Sequence, residues 1–88
     1  MIASAPPMTV DHEAEEPVYL QIAGILRARI LSGELEPGRP VPSEETLRQT
    51  FEVARETARK AVRVLRSEGL VRTRQGKGTF VTRPEERG

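Results

Sequence analysis

Ala54-Arg55-Glu56-Thr57-Ala58-Arg59-Lys60-Ala61-Val62-Arg63-Val64-Leu65-Arg66 and, past Gly69, Val71-Arg72-Thr73-Arg74-Gln75-Gly76-Lys77-Gly78-Thr79-Phe80-Val81 are the two stretches that decide the fold. In the first, Ala58, Ala61, Val62 and Leu65 recur at steps of three and four, the spacing of one buried face of an α-helix. Arg55, Arg59, Arg63 and Arg66 keep the same rhythm on another face. Gly69 suits the left-handed residue that follows a helix, so a helix is predicted from Arg55 to Ser67 or Glu68. In the second stretch Val, Thr and Phe favour extended backbone. Leu70–Thr73 and Thr79–Thr82 are predicted as strands, and Gln75-Gly76-Lys77-Gly78 as their connection, where glycine supplies positive φ.

Upstream, Ser43 is a helix N-cap residue, and Glu44 and Glu45 suit the positive first turn behind it. Leu47 and Phe51, four apart, face inward, and this short helix is predicted to end near Glu52. Pro37-Gly38 reads as a turn, Pro40 and Pro42 as helix breakers, and Val41 as a very short edge strand. A first helix is predicted from about Pro17 to a stop at Gly33. Tyr19, Ile22, Ala23, Leu26 and Ile30 make its apolar stripe, with Arg27 and Arg29 off it. Three helices and a terminal hairpin, in that order, describe a mainly α fold with a small β-hairpin, a winged helix-turn-helix. One domain is expected over 17–83. Residues 1–16 form an acidic leader expected to be disordered, and 84–88 a polar tail.

The 88 residues carry no cysteine, which excludes disulfides and thiolate metal sites. The single histidine, His12, lies in the leader without ligand companions, so no metal site and no cofactor is expected. There is no apolar run long enough for a membrane span and no secretory signal, so a cytoplasmic protein is expected. Net charge is only +1, but its distribution is uneven. Residues 1–16 carry four acids and no Lys or Arg, whereas residues 53–83 carry nine basic residues against Glu56 and Glu68, a net of +7. A basic helix able to lie in a major groove, with a basic hairpin beside it, is a way to hold DNA. Three aromatic residues argue against single-strand binding by stacking. Gly76-Lys77-Gly78 is not a nucleotide-binding loop, since neither Gly-Lys-Ser/Thr nor a helix follows it. Ser43 has no base or partner histidine that would make it a nucleophile, and no acid–base pair elsewhere suggests an enzyme.

From Pro17 to Val81 the chain resembles the N-terminal DNA-binding domain of the GntR family of bacterial transcription regulators. The matching pieces are Pro17-Val18-Tyr19-Leu20-Gln21-Ile22-Ala23, Ile30-Leu31-Ser32-Gly33-Glu34-Leu35-Glu36-Pro37-Gly38, Pro42-Ser43-Glu44, Ala58-Arg59-Lys60-Ala61 with Leu65, Glu68-Gly69-Leu70-Val71, and Arg74-Gln75-Gly76-Lys77-Gly78-Thr79-Phe80-Val81. The resemblance implies that the third helix reads the major groove and the wing tip approaches the minor groove. It places Arg55, Thr57 and Arg59 at base and phosphate contacts, and Gln75, Gly76 and Lys77 at the wing tip. Arginine can donate two parallel bonds to guanine, and a helix start favours phosphate. Ser43 and Arg48 are further DNA-contact candidates near the backbone.

Three positions depart from the family pattern. Glu45 stands where a basic residue usually follows Pro-Ser-Glu. Ala54 stands where Ser or Thr usually caps the third helix, a loss that costs on the order of 1 kcal/mol. Glu56 replaces a small polar residue; its carboxylate helps the helix dipole, opposes phosphate, and could accept from cytosine N4. The reading is a sequence-specific regulator of GntR type, a repressor, bound as a homodimer to a palindromic double-stranded operator, for which the resemblance implies a GT…AC inverted core. No effector-binding domain and no small-molecule effector site is visible. The alternative is a minimal interaction subunit that pairs with a longer relative and titrates it.

Overall fold

A computed structural model of the chain describes residues 9–86. Three helices are followed by one antiparallel hairpin: α1 Val18–Ser32, α2 Glu44–Phe51, α3 Arg55–Ser67, β1 Val71–Arg74 and β2 Gly78–Val81, with a single 3-10 turn at Pro84–Glu86. This is the winged helix-turn-helix predicted from the sequence.

The helix ends obey local chemistry. Pro17 precedes the first turn of α1, and Gly33 closes it in the left-handed conformation, φ 89°. Ser43 caps α2, its Oγ accepting from the Thr46 N–H at 3.1 Å. Ala54 begins α3 with no side-chain cap. At the end of α3 the Gly69 N–H donates to the Arg66 carbonyl at 3.0 Å, and the Leu70 N–H to the Leu65 carbonyl at 3.0 Å. That pair is a Schellman motif, and it keeps Leu70 out of β1. The strands are therefore displaced from expectation by one residue. The Lys77 N–H closes onto the Arg74 carbonyl at 2.9 Å, so the loop is only Gln75-Gly76-Lys77, and Arg74 and Gly78 pair within the ladder.

All three helices meet in one core: Ile22, Ala23, Leu26 and Ile30 from α1, Leu47 and Phe51 from α2, Ala58, Ala61, Val62 and Leu65 from α3, closed by Leu70, Val71 and Val81. Tyr19 only borders this core, where the Lys60 ammonium stands 5.6 Å from its ring centroid. Arg29, expected off the apolar stripe, is buried. It sits seven residues from Ile22 and three from Leu26, which puts it on the inward face despite its charge. Its Nε lies 3.8 Å from Glu34 Oε2, and its buried Nη2 has no hydrogen-bond partner among the described residues.

Two further contacts were not expected. Residues 9–16, read as part of a disordered leader, are tied to α1 through Gln21. Its Oε1 accepts from the Asp11 N–H at 2.8 Å, and its Nε2 donates to the Asp11 and Glu16 carbonyls, each at 2.9 Å. The remainder of the leader, and the last two tail residues, lie outside the described residues. The expected strand at Val41 is a strap along β2. The Val41 N–H donates to Thr79 O at 2.9 Å, the Val81 N–H to Arg39 O at 2.9 Å, and the Gly38 N–H to Val81 O at 2.8 Å. β2 thus lies between β1 and this segment.

Candidate nucleic-acid interface

The turn Glu52-Val53-Ala54 joins α2 to α3 and brings the acidic start of α2 against the basic start of α3. Glu52 adopts φ 56°, the only positive φ outside glycine among the described residues. That geometry bends the chain sharply within three residues and lets one face of α3 stand free. Along it, Arg55, Arg59, Arg63 and Arg66 are all exposed, while Ala58, Ala61, Val62 and Leu65 are buried.

Three of the expected contact arginines are held in ion pairs. Glu45 Oε1 accepts from Arg48 Nε at 3.0 Å and from Arg55 Nη2 at 3.1 Å, so one carboxylate spans the turn between the helices. Its other oxygen accepts from Arg48 Nη2 and from Gln49 Nε2. Arg59 is held by Glu56, which accepts from its Nη1 at 3.0 Å, and approaches Glu44 Oε2 at 3.6 Å from its Nε. The Arg48 hydrogen bond, with help from Gln49 and the charge of Arg55, holds the Glu45 carboxyl down to about 2. The same bond raises the Arg48 guanidinium. These charged side chains are between 39% and 59% exposed, so the network orients side chains more than it stabilises the fold.

The other candidate residues fall around this cluster. Thr57 is half-buried in the first turn of α3, and its hydroxyl makes no hydrogen bond among the described residues. Gln75, Gly76 and Lys77 form the exposed tip of the wing, with Gly76 at φ 77°. Ser43 and Lys77 line one groove of about 360 Å³ between the start of α2, α3 and the wing, with Pro42, Val62 and Arg66. Of the expected contact residues only Ser43 and Lys77 line this groove; Arg48, Arg55, Glu56, Thr57 and Arg59 do not. Glu68, at the end of α3, receives a bidentate pair from Arg27 of α1 at 2.8 and 2.7 Å. That bond draws the Glu68 carboxyl below its usual range and raises Arg27.

The sequence reading missed Glu44 and Glu45 as holders of arginines. Half of the signal was present: Arg48 and Gln49 stand three and four residues after Glu45, within reach on a helix. The link to Arg55 depends on the turn and has no local signature.

No helix among the described residues is long and apolar enough to cross a membrane. Residues 18–81 match the family model of bacterial regulatory proteins, gntR family. The HTH-type transcriptional repressor NagR of Bacillus subtilis (strain 168) is 38% identical over 78 residues, covering 89% of this chain and 32% of that protein. The mannosyl-D-glycerate transport/metabolism system repressor MngR of Escherichia coli (strain K12) is 43% identical over 66 residues, covering 75% of this chain and 28% of that protein. The chain thus spans about a third or less of the length of these curated relatives. Among solved structures, the DNA-binding domain of AraR in complex with operator ORX1 is similar at a TM-score of 0.73 and 40% identity, over 76% of this chain and 81% of that one. YtrA from Sulfolobus acidocaldarius, a GntR-family transcription factor, is similar at a TM-score of 0.78 and 31% identity, over 91% of this chain and 82% of that one.

Proposed function

The chain belongs to the gntR family of bacterial regulatory proteins, and from that premise we propose that it reads double-stranded DNA sequence-specifically as a cytoplasmic transcriptional repressor. Its family is one of regulators rather than enzymes, and several relatives are named repressors. The observation that carries the reading is the arginine cluster at the start of the free face of α3, held from α2 by Glu45. In this reading α3 enters the major groove. Arg55 donates two parallel N–H bonds to a guanine edge, with its fork already oriented by Glu45. Arg59 follows one turn on, and Glu56, next to Arg55 in the chain, has a carboxylate able to accept from cytosine N4. Thr57, Ser43 and Arg48 meet phosphate, and Gln75, Gly76 and Lys77 enter the minor groove, where the glycine allows close approach. One small domain makes few base contacts, so two copies bind a palindrome.

A second reading is favoured by the same ion pairs. Glu44, Glu45 and Glu56 offset Arg48, Arg55 and Arg59 one for one, which would suit a subunit that pairs with a longer relative and titrates it rather than holding DNA itself. Titration of a labelled duplex from the chain's own upstream region, in a salt series, separates the two. Binding that weakens steeply with salt supports the repressor. Undetectable or salt-independent binding, with capture of a longer relative, overturns it. Selection from a random duplex pool then assigns roles. Arg55→Ala is expected to weaken binding and relax the selected motif, whereas Lys77→Ala weakens all sequences alike.

A further inference from the structure

The side of the wing turned away from α3 carries a second concentration of charge. In the hairpin Arg72 pairs with Phe80 and Arg74 with Gly78, so Arg72, Arg74 and Phe80 share the face opposite the core-facing Val71 and Val81. Beyond β2 the chain turns and lays the Arg83 guanidinium against Gly38, its Nη2 only 3.3 Å from where a first side-chain carbon would stand on that glycine. The result is a concavity of about 250 Å³ lined by Arg72, Arg74, Lys77 and Arg83 around Phe80, with Glu86 as its one acid. Glu86 is already engaged. Its Oε1 accepts from the Arg83 N–H at 3.0 Å and its Oε2 lies 3.3 Å from Arg72 Nη1. Arg74, Lys77 and the Arg83 side chain have no ion pair among the described residues. The arginines of α3's first turns are neutralised from within, and these are not.

Like charges gathered without a counter-charge repel one another, and an outside anion relieves that repulsion. We infer that this face binds the DNA backbone: phosphodiester oxygens flanking the stretch that the wing tip enters. Arginine forks match phosphate oxygens in geometry and charge. Lys77 lines both this concavity and the groove toward α3, so the two flank the wing tip, and a duplex held at the tip runs past both. Arg83 and Glu86 lie past the family-matched residues 18–81. Glu86 acts as an internal competitor that surrenders Arg72 on binding. This inference rests on the DNA-binding reading above and extends its footprint.

The test is the salt dependence of duplex binding by wild type, Arg74→Gln/Arg83→Gln and Glu86→Gln, on a long duplex and on one trimmed at the flank. Both replaced arginines are exposed, so melting followed by circular dichroism is expected to match wild type. Two lost phosphate contacts predict a slope of log K against log salt shallower by roughly 2, with the selected motif unchanged. Trimming the flank is expected to bring wild type to the double variant's slope and leave the variant where it was. Glu86→Gln is expected to tighten binding severalfold. An unchanged slope in the double variant, or weaker binding by Glu86→Gln, overturns the inference while wild-type binding still stands. Absence of salt-dependent binding by wild type would overturn the parent reading and this one with it. Binding of inorganic phosphate by the wild type and not by the double variant, with the double variant's salt slope on DNA unchanged, would assign the site to free phosphate and overturn the DNA assignment.

Discussion

Glu45 of α2 accepts a hydrogen bond from Arg55 of α3 at 3.1 Å, across the turn that separates the two helices. The same oxygen accepts from Arg48, so three side chains from two helices act as one unit. A glutamate at the rim of the proposed DNA-reading face is paradoxical if judged by charge alone, since it opposes phosphate. Judged by geometry, it fixes the direction in which Arg55 presents its fork, and that ordering is then not lost again on binding.

Replacing Glu45 separates these two effects. Glu45→Gln removes one negative charge and loosens Arg55. Non-specific duplex affinity is expected to rise severalfold with a steeper salt slope, while the motif selected from a random pool becomes less sharp. Weaker binding to every sequence, with the motif unchanged, would show that Glu45 does not orient the reading arginine.

The pH dependence follows from the same carboxylate. Glu45 is held down to about 2 in the folded protein by Arg48 first, then Gln49 and the charge of Arg55. A depressed carboxyl contributes stability above its usual range and loses it as pH falls toward the folded value. The Glu45 carboxyl signal in an NMR titration is therefore expected to move at about pH 2, and Arg48→Ala to raise that midpoint. A Glu45 midpoint in the usual carboxylate range would mean the ion pairs do not persist in solution.

Stability can be gained where the turn departs from local preference. Ala54→Ser puts an acceptor at the N-cap of α3, where backbone angles already suit one, and is expected to add about 1 kcal/mol. In a domain of this size that raises Tm by roughly 4–8 °C. Glu52→Asn relieves a left-handed glutamate and is expected to add about 0.5–1 kcal/mol. Thermal melts of the two variants and their combination check both values.

Arg29 invites the opposite experiment. Its side chain is 10% exposed, its Glu34 partner is 59% exposed, and one guanidinium nitrogen is buried without a partner. Arg29→Met keeps most of the packed stem and removes the buried charge, so stability is expected to hold or rise by up to about 1 kcal/mol. A loss above roughly 2 kcal/mol in chemical denaturation would show that the charge is needed where it is.

What could be read from the sequence was local. Pro17, Gly33, Ser43 and Gly69 mark helix ends through chemistry carried by one or two residues, and the apolar spacing of α3 sorts its faces directly. What could not be read depended on distant chain segments. The turn closed at Lys77 moved the strands by one residue, and the strap along β2 gave Val41 its partners. Arg29 was set aside because its charge outweighed its position in the spacing. Of the candidate site, the arginines and the wing tip were visible as residue types. Their pairing with Glu44, Glu45 and Glu56 needed the turn, and the charge on the wing's outer face needed Arg83 to fold back on Gly38.

The strap at Gly38–Val41 has a consequence for operator geometry. It is bonded to β2 and runs directly into Pro42-Ser43, the start of α2. The hairpin and the helix pair α2–α3 are thus the two jaws of a caliper, and this short segment sets the gap. Deleting one residue between Arg39 and Ser43 would shift one jaw by roughly 3.3 Å, the rise of a strand residue and close to one base-pair step. On the proposed DNA-binding reading, the spacing between the bases α3 reads and the phosphates the wing meets is set by this short segment.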